Sequence, residues 1–524
     1  MSTFHGLEMA KQALFAQQSA LYTTGHNIAN ANTPGYSRQR VNFETTSPFP
    51  TVSRNRPEIP GQLGTGVQAG SVQRIRNEFL DYQYRAENSK AGYYGTMSNA
   101  LGRLEGLMNE PSENGLAKTM DRFWQSLQDL SVNPKNSGAR SVVAQRGLAV
   151  AETFNYFSDS INSMRGDLKK QIDVTLKDAN SLISQVDALN QQIKNIETNG
   201  FLPNDLYDER DRLIDELSNI VNIQVDYSKS SDGSLAMADG VATIKLVDKE
   251  GNPLGVNLVN GEDGTHQEFF VTYSDDKLNA VTGINVGGQV NEATGEVEGG
   301  TNIPLENVTG SLKGFIDSYG YEDTNGSIKG TYTEMLASLD KMAFEFAKKF
   351  NDVHDDGKDL AGTWGGAFFT TNGNDFDELD STKENYSGSA ASITVNAAIV
   401  EDPDLIAASE NGDMGNGANA SLLADVFETP LDGLGKNTSA KTFYESLIGD
   451  LGVNAQEANR MAENTGVLKA QVENQRMSVS SVSLDEEMAN MIKFQHAYNA
   501  AARSLTAADE LLNRIINNLG IVGR

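Results

Sequence analysis

The chain has 524 residues, of which 38% are hydrophobic and 22% charged, and its formal net charge at pH 7 is −29. This length exceeds what one hydrophobic core serves, and it predicts about three or four domains. The sequence pI of about 4.5 predicts an acidic surface that repels phosphate backbones and anionic lipids, which argues against binding to nucleic acid or to a membrane surface. The absence of cysteine excludes disulfides, thiolate nucleophiles and cysteine-ligated metal sites.

The first residues do not show a basic segment followed by an apolar one, so we expect no cleavable signal peptide. No run approaches the roughly 18 apolar residues of a membrane-spanning helix. We therefore expect no membrane insertion. If the protein is exported, we expect a route other than the general secretory pathway.

An apolar stripe at helical spacing begins near the N-terminus and ends at a turn. Its members recur every seven residues after an initial phenylalanine, and they are Phe4, Leu7, Leu14, Leu21 and Ile28. A seven-residue repeat predicts a helix that buries a seam against another helix. Pro34 cannot continue this helix, and Gly35 permits a turn with positive φ. Alternation of Val41 and Phe43 with polar residues then predicts a strand.

The region 140–199 carries a second apolar stripe at helical spacing, which predicts one long helix or a helical hairpin. The stripe consists of Ile161, Leu168, Leu182, Leu189 and Ile196, with Ile172, Ala179, Val186 and Ile193 beside it. Gly200 and Pro203 are expected to end the helix. A shorter amphipathic helix is predicted over 206–220.

The middle of the chain has a different character, because it is acidic and contains no arginine between Arg212 and Arg460. Turn dipeptides separate short β-type runs over 226–330, which predicts an all-β module of hairpins with strands at 241–247 and 268–273. A further β-type run covers 391–400. Helices are predicted over 333–353 and 464–478.

The C-terminal segment carries the longest seven-residue repeat. Its members are Leu484, Met491, Tyr498, Leu505, Leu512 and Leu519, and Met488, Ala502, Ile515 and Ile516 broaden the stripe. Ser483 is a candidate N-cap, and Gly520 is expected to end the helix. The two terminal stripes predict that these helices pack on each other. Their faces are too broad for a pair alone, so we also expect contact with another subunit.

A catalytic function has little support in the sequence. No H-E-x-x-H zinc motif, G-x-S-x-G motif or phosphate-binding loop occurs. His354 precedes two aspartates, a pattern that we interpret as a polar turn after a helix. The acidic loop around Asp375, Asp377 and Asp380 lacks the EF-hand pattern, so we interpret it as a solvated loop. We predict no catalytic site, no cofactor and no metal site.

The turn after the first helix resembles a known signature. Asn27, Ala29, Asn30, Thr33, Pro34, Gly35 and Tyr36 match a motif of the rod, hook and hook-associated axial proteins of the bacterial flagellum. The C-terminal helix resembles the closing helix of the same proteins. Segments 123–155 and 206–225 resemble, more narrowly, the hook–filament junction family known as hook-associated protein 1. The resemblance covers about residues 1–225 and 460–524.

The resemblance implies a structural protein of the extracellular flagellum that forms a ring of copies between hook and filament. Its implied partners are copies of itself, the hook protein and the next hook-associated protein towards the filament. It also implies flagellar type III export with an uncleaved signal, and an export chaperone that binds the C-terminal helix. The residues implied for assembly on the first helix are Phe4, Leu7, Leu14, Leu21 and Ile28. Those implied for assembly and chaperone binding on the last helix are Leu484, Met488, Met491, Tyr498, Leu505, Leu512, Ile516 and Leu519.

Two alternatives remain open at this stage. One is another axial subunit, either a hook or a distal rod protein. The other is a surface adhesin with axial-protein termini, which requires a binding site within 226–440.

We predict an α+β multidomain fold with discontinuous domains, in which the terminal helices form a coiled-coil core beside a long helical inner domain and a β-rich outer domain. Residues 1–36 and 483–524 are assigned to the core, and 37–225 with 430–482 to the inner domain. The β-rich outer domain is assigned to 226–332. A mixed helix and β segment, 333–429, is assigned to the inner or the outer domain.

Overall fold

The structure is a computed structural model that describes residues 3–50, 54, 60–108, 115–274, 279–290, 297–376 and 386–518. About 60% of the chain is helical and 15% is in strands, which confirms the predicted α+β class. Two units are formed from discontinuous segments. The first unit comprises Met1–Asn88, Ala179–Glu268 and Val467–Arg524, and the second comprises Ser89–Asp178 and Phe269–Gly466.

The helices of the first unit include the first and the last helix that the structure describes. Three helices, α2, α4 and α11, have residues in both units. The helices that contribute to the first unit are α1 (Thr3–Ala29), α2 (Glu78–Met108, up to residue 88), α4 (Ser137–Thr198, from residue 179), α5 (Asn204–Ile220), α11 (Ala440–Ser480, from residue 467) and α12 (Leu484–Asn518).

Two antiparallel sheets complete the first unit. Strands β1 (Gln39–Thr45) and β2 (Val67–Arg74) pair in a hairpin whose register shifts between Asn42 and Phe43. Strands β3 (Ile223–Ser228), β4 (Val241–Val247), β5 (Pro253–Asn260) and β6 (Thr265–His266) form a four-stranded sheet in chain order. The bounds of β4 are those of the predicted strand 241–247. Its apolar residues Val241, Ile244 and Leu246 are buried.

The end of α4 in the first unit buries a face that lies beside the main predicted stripe. Ala179, Ile183, Val186 and Ile193 are fully buried. In contrast Leu182, Leu189 and Ile196, which the sequence analysis placed in the main stripe, are half-buried. The long-helix alternative is confirmed, since 137–198 is one helix, but the centre of its buried face is shifted around the helix axis.

The second unit contains the remaining elements. Its helices are the rest of α2 and α4, α3 (Leu116–Val132), α6 (Ser311–Tyr319), α7 (Thr331–Asp355), α8 (Ser389–Ser392), α9 (Ala397–Glu401), α10 (Ala418–Asp425) and the first part of α11. Its strands are β7 (Phe269–Tyr273), β8 (Val281–Val286), β9 (Gln289–Val290), β10 (Val297–Glu298), β11 (Thr301–Ile303), β12 (Tyr321–Glu322), β13 (Ile328–Lys329), β14 (Phe369–Thr371), β15 (Asn374–Asp375) and β16 (Ile393–Val395).

Sheet topology in the second unit is mixed. β8 pairs with β7 and β11 antiparallel and with β12 parallel, and β12 pairs with β13. β14 lies between β15 and β16 in a small antiparallel sheet, and β9 pairs with β10. An aromatic cluster forms much of the core, and its members Phe123, Phe346, Phe350, Phe368 and Phe369 are all buried. The rings of Phe350 and Phe368 lie 4.9 Å apart between centroids.

Several predicted elements require correction. The acidic region 226–330 is not all-β, because it contains α6, and its strands divide between the two units after residue 268. The run 391–400 forms the short strand β16 and then α9, because Asn396 accepts a hydrogen bond from Ala398 N and caps that helix. The predicted helix 464–478 is the last part of the much longer α11. α2 was not predicted, and the domain boundaries stay predictions.

Within the residues that the structure describes, no helix combines the length and the apolar character needed to cross a membrane.

Candidate assembly site: the terminal helix pair and the signature turn

α1 and α12 pack along each other within the first unit. Asn27, near the end of α1, donates from Nδ2 to Glu487 Oε2 in the first turn of α12 at 3.1 Å. The end of one helix therefore meets the beginning of the other, and the pair is antiparallel. Ser483 precedes α12 as predicted, and its carbonyl accepts the Glu487 N–H at 2.9 Å.

The buried apolar residues of α1 are small. Ala10, Ala16 and Ala20 are buried, whereas Leu7, Leu14, Leu21 and Ile28 are half-buried and Phe4 is 66% exposed. On α12, Ala501 and Leu512 are buried, while Met491, Tyr498 and Leu505 are half-buried. Of the predicted stripe residues that the structure describes on these two helices, Leu512 is buried and most of the others are half-buried. Leu519 and Gly520 lie outside the described residues.

Large apolar side chains remain exposed on both helices of the pair. We call this set the outer apolar face, and it comprises Phe4, Met9, Phe15 and Tyr22 of α1 with Leu484, Met488, Ile492, Leu511, Ile515 and Ile516 of α12. Leu484, Met488 and Ile516 belong to the predicted assembly residues. An exposed apolar set of this size is typical of a surface that another protein covers.

Signature residues after α1 form a hydrogen-bonded turn. Asn30 Nδ2 donates to the His26 carbonyl at 3.1 Å, and Thr33 Oγ1 donates to Asn30 Oδ1 at 3.2 Å. Gly35 has φ of 82°, a left-handed conformation that a side chain disfavours. Ala29 and Pro34 are exposed.

Asn27 and Tyr36 connect this turn to β1. The Tyr36 hydroxyl donates to Asn27 Oδ1 at 2.8 Å, and Asn27 Nδ2 donates to the Gln39 carbonyl at 2.8 Å. The Gln39 N–H returns a hydrogen bond to Asn27 Oδ1 at 2.9 Å. Asn27 is 1% exposed, so its amide is fully used within the protein. These contacts explain why an asparagine and a tyrosine occupy these positions.

Arg38 links the signature turn to the last two helices, α11 and α12. Its Nε donates to Glu487 Oε1 at 2.8 Å and its Nη1 to Glu486 Oε2 at 2.7 Å. Its backbone N–H donates to the Ser480 carbonyl at the end of α11, at 2.8 Å. Sequence analysis missed Arg38 and Glu487 as a pair, because 449 positions separate them.

A buried network of arginines and aspartates lies elsewhere in the first unit. It consists of Arg74, Arg76, Arg85 and Arg476 with Asp81, Asp208, Asp211, Asp215 and Asp239. Burial alone would raise the pKa of Asp211, but the charges of Arg76 and Arg74 outweigh burial and hold that pKa well below its usual value of 3.8. The network joins β2, α2 and α5 to the end of α11, and residues 206–225, which carried part of the resemblance, supply three of its aspartates.

A cavity of about 750 Å³ lies between the signature turn, α5 and the end of α11. Its charged lining includes Arg76, Asp215, Glu473 and Arg476, which form ion pairs with one another or with neighbours in the network. The charges of these four residues are therefore paired within the protein.

His354 lies in the last turn of α7 and is fully buried, so its placement in a polar turn was wrong. Its Nδ1 contacts the Gly366 carbonyl at 2.6 Å, and its Nε2 accepts the Ala407 N–H at 2.9 Å. Burial lowers its pKa to about 4. The imidazole is therefore a neutral core group that holds two loops.

Among the described residues, no group of three or more histidine, aspartate or glutamate side chains could hold a metal ion. Asp375 is described, whereas Asp377 and Asp380 of the predicted acidic loop lie outside the described residues.

Comparisons with known proteins agree with this arrangement. The model of the flagellar hook-associated protein FlgK helical domain matches residues 101–369. Flagellar hook-associated protein 1 of Bacillus subtilis is 47% identical over 526 residues, which cover 100% of both chains. The chain belongs to the flagellar hook-associated protein 1 family. The predicted resemblance is confirmed.

More distant comparisons extend to both ends. The protein of the same name from Salmonella typhimurium is 24% identical over 97% of this chain and 98% of its own. Models of the flagella basal body rod protein and of the rod FlgEFG protein C-terminal match residues 7–36 and 473–519. The flagellar hook junction protein FlgK from Burkholderia pseudomallei shares the fold, with a TM-score of 0.60 over 76% of this chain and 100% of that chain at 14% identity. Membership of this family makes the chain a flagellar protein.

Proposed function

We propose that the chain is a structural, non-enzymatic subunit of the junction between the flagellar hook and the filament. The outer apolar face of the terminal helix pair is the observation that carries the proposal, because a face of this kind is stabilised when another subunit covers it. The name of the solved relative, a hook junction protein, supports the same position along the flagellum.

The partners follow from this position. Copies of the chain form a ring, the hook protein contacts it on one side, and the next hook-associated protein contacts it on the other. The chain reaches this place outside the cell through flagellar type III export, and an export chaperone binds the C-terminal helix. The lack of cysteine suits such a route, since the chain needs no disulfide to fold after export.

Deletion of the gene in its own host tests the junction assignment. We expect non-motile cells that carry hooks and release unattached flagellin into the medium, because filament subunits lack their attachment point. Cells that still carry attached filaments would refute the assignment and favour another axial subunit or a surface adhesin.

Complementation of that deletion with variant genes tests whether the outer apolar face is needed for filament attachment. Met488→Asp and Ile516→Asp place charges on exposed positions of α12, away from the contact with α1, so the monomer is expected to keep its helicity while filament attachment is lost. Glu510→Gln, at an exposed polar position of the same helix, is the matched control and should restore swimming. Leu14→Asp and Leu505→Asp are also expected to abolish assembly, but these residues are half-buried and the changes disturb the pair as well.

A further inference from the structure

The apolar repeats of the terminal helices do not by themselves define how far one helix is shifted along the other. α12 carries Leu484, Met491, Tyr498, Leu505 and Leu512 at intervals of seven, and α1 carries Leu7, Leu14, Leu21 and Ile28 at the same interval. A shift of one heptad, about 10 Å along the axis, again places apolar residues opposite apolar residues. The buried alanines of α1 add little shape that would distinguish the two registers.

Glu487 does distinguish them. It is 2% exposed, in the same turn as the exposed Asp485 and Glu486. Its carboxylate accepts from Asn27 Nδ2 at 3.1 Å and from Arg38 Nε at 2.8 Å. Asn27 and Arg38 are themselves held by the signature turn and β1, and Arg38 also donates from Nη1 to the exposed Glu486 at 2.7 Å. Among the described residues of α12, Glu487 is the one that accepts from both donors.

A forward shift by one heptad brings Phe494 to the place of Glu487. A phenylalanine accepts no hydrogen bond, so Asn27 and Arg38 both lose the Glu487 carboxylate. Asn27 is 1% exposed, and its Nδ2 then keeps only the Gln39 carbonyl as partner, which leaves a buried N–H unpaired at a cost in free energy. The ring of Phe494 also leaves its edge contact with Phe43, where the centroids lie 6.1 Å apart. A backward shift is opposed differently, because Ser480 ends α11 and its carbonyl accepts the Arg38 N–H.

We propose that Glu487 is a positioning residue that sets the register of α12 on α1. A single buried polar group fixes register in coiled coils by the same physics, since the alternative register leaves it or its partners unsatisfied. The register in turn determines which exposed residues of the two helices lie side by side in the outer apolar face. The proposal concerns pairing within one chain and does not depend on where along the flagellum the protein lies.

Disulfide cross-linking tests the register directly, because the chain contains no cysteine and introduced pairs are unique. In antiparallel helices of equal rise, Thr24 lies opposite Asn490 when Asn27 lies opposite Glu487, and opposite Ala497 after a forward shift of one heptad. We would compare Thr24→Cys/Asn490→Cys with Thr24→Cys/Ala497→Cys in the full-length chain, and quantify each cross-link by peptide mass spectrometry. In the parent chain we expect the first cross-link to exceed the second by about tenfold or more.

Glu487→Leu should remove this preference and bring the two yields close to each other. Asp485→Asn, at an exposed acidic position in the same turn, should leave the preference unchanged. A second variant moves the carboxylate by one heptad. Glu487→Leu/Phe494→Glu should reverse the preference, so that the cross-link to position 497 dominates. Three outcomes would overturn the proposal. Glu487→Leu could keep the preference of the parent chain, Glu487→Leu and Glu487→Leu/Phe494→Glu could both lose the two cross-links, or the parent chain could give neither cross-link. A failed junction assignment would leave these yields unaffected.

Discussion

Arg74 Nη1 donates to Asp208 Oδ1 at 2.9 Å, and both side chains are almost fully buried, at 6% and 7% exposure. The same guanidinium reaches Asp211 at 2.7 Å from Nη2. One arginine of β2 thus holds two successive turns of α5. Most charges in this network have left water, although the Asp239 side chain is 35% exposed. The stability contribution of the buried charges therefore depends on the presence of their partners.

Arg74→Met is expected to destabilise the first unit by about 3–5 kcal/mol, because Asp208 and Asp211 lose a buried counter-charge. Helical circular dichroism during denaturation measures this loss. Both tryptophans, Trp124 and Trp364, belong to the second unit, so tryptophan emission reports that unit separately and should change less.

Arg212→Met is the matched control for Arg74→Met. Arg212 lies on α5 but pairs with Glu209 and Glu216 at the surface, and exposed pairs contribute about 1 kcal/mol or less. Equal losses in the two variants would show that the buried network is no more important than a surface pair.

His354 makes the second unit less stable in acid. Its folded-state pKa of about 4 lies below the usual histidine pKa of 6.5, so the unfolded chain binds more protons between these values. The stability that neutral His354 contributes is complete above pH 6.5 and is lost as the pH falls towards 4. His354→Leu is expected to be less stable at pH 7 but to lose less stability between pH 7 and pH 5, measured by tryptophan emission in urea. An equal loss in both proteins would contradict this account.

Asp340 acts in the opposite direction within the same unit. Burial raises its pKa to about 6, although the N–H groups of Gly388 and Ala390 donate to it and oppose the shift. The folded state therefore binds the extra proton between pH 6 and 3.8, and stability increases by about 1 kcal/mol as the pH falls from 7 to 5. Asp340→Asn removes this gain, so its unfolding free energy should fall more steeply over that range than that of the parent. A shallower fall would show that the carboxyl is ionised in the fold at pH 5.

Sequence patterns identified those helices and strands whose apolar residues recur at a regular spacing within one short segment of the chain. The terminal helices, α4, α5, α7 and β4 follow from apolar spacing and from turn residues, and the signature turn was found because its residues lie within ten positions of each other. Arg74, Arg476 and Glu487 were missed, because their partners lie far away in the chain and a charged residue in a sequence is by default a solvated one. The main stripe of α4 is buried at Ile161 and Leu168 but only half-buried over 182–196, where the residues predicted beside it are the buried ones. A heptad count drifts around a helix with 3.6 residues per turn, which explains the difference.

Two glycines of α4 in the second unit offer a matched test of packing in its core. Gly147 is buried, and a Cβ built on it would lie 2.8 Å from Phe368 Cε1 and 3.3 Å from Phe123 Cε2. Gly166 lies on the same helix with nothing within 4 Å of such an atom. Gly166→Ala should stabilise the second unit by about 0.5–1 kcal/mol, because alanine is the better helix former.

Gly147→Ala gains the same helix propensity, but the added methyl presses on the rings of Phe368 and Phe123, which are buried and in contact with other rings of the aromatic cluster. We expect a net destabilisation of about 1–2 kcal/mol from this overpacking. Urea denaturation followed by tryptophan emission compares the two variants in the same unit. If Gly147→Ala stabilised the protein as much as Gly166→Ala, the aromatic cluster would have room beside α4, and its close packing would not explain the glycine at this position.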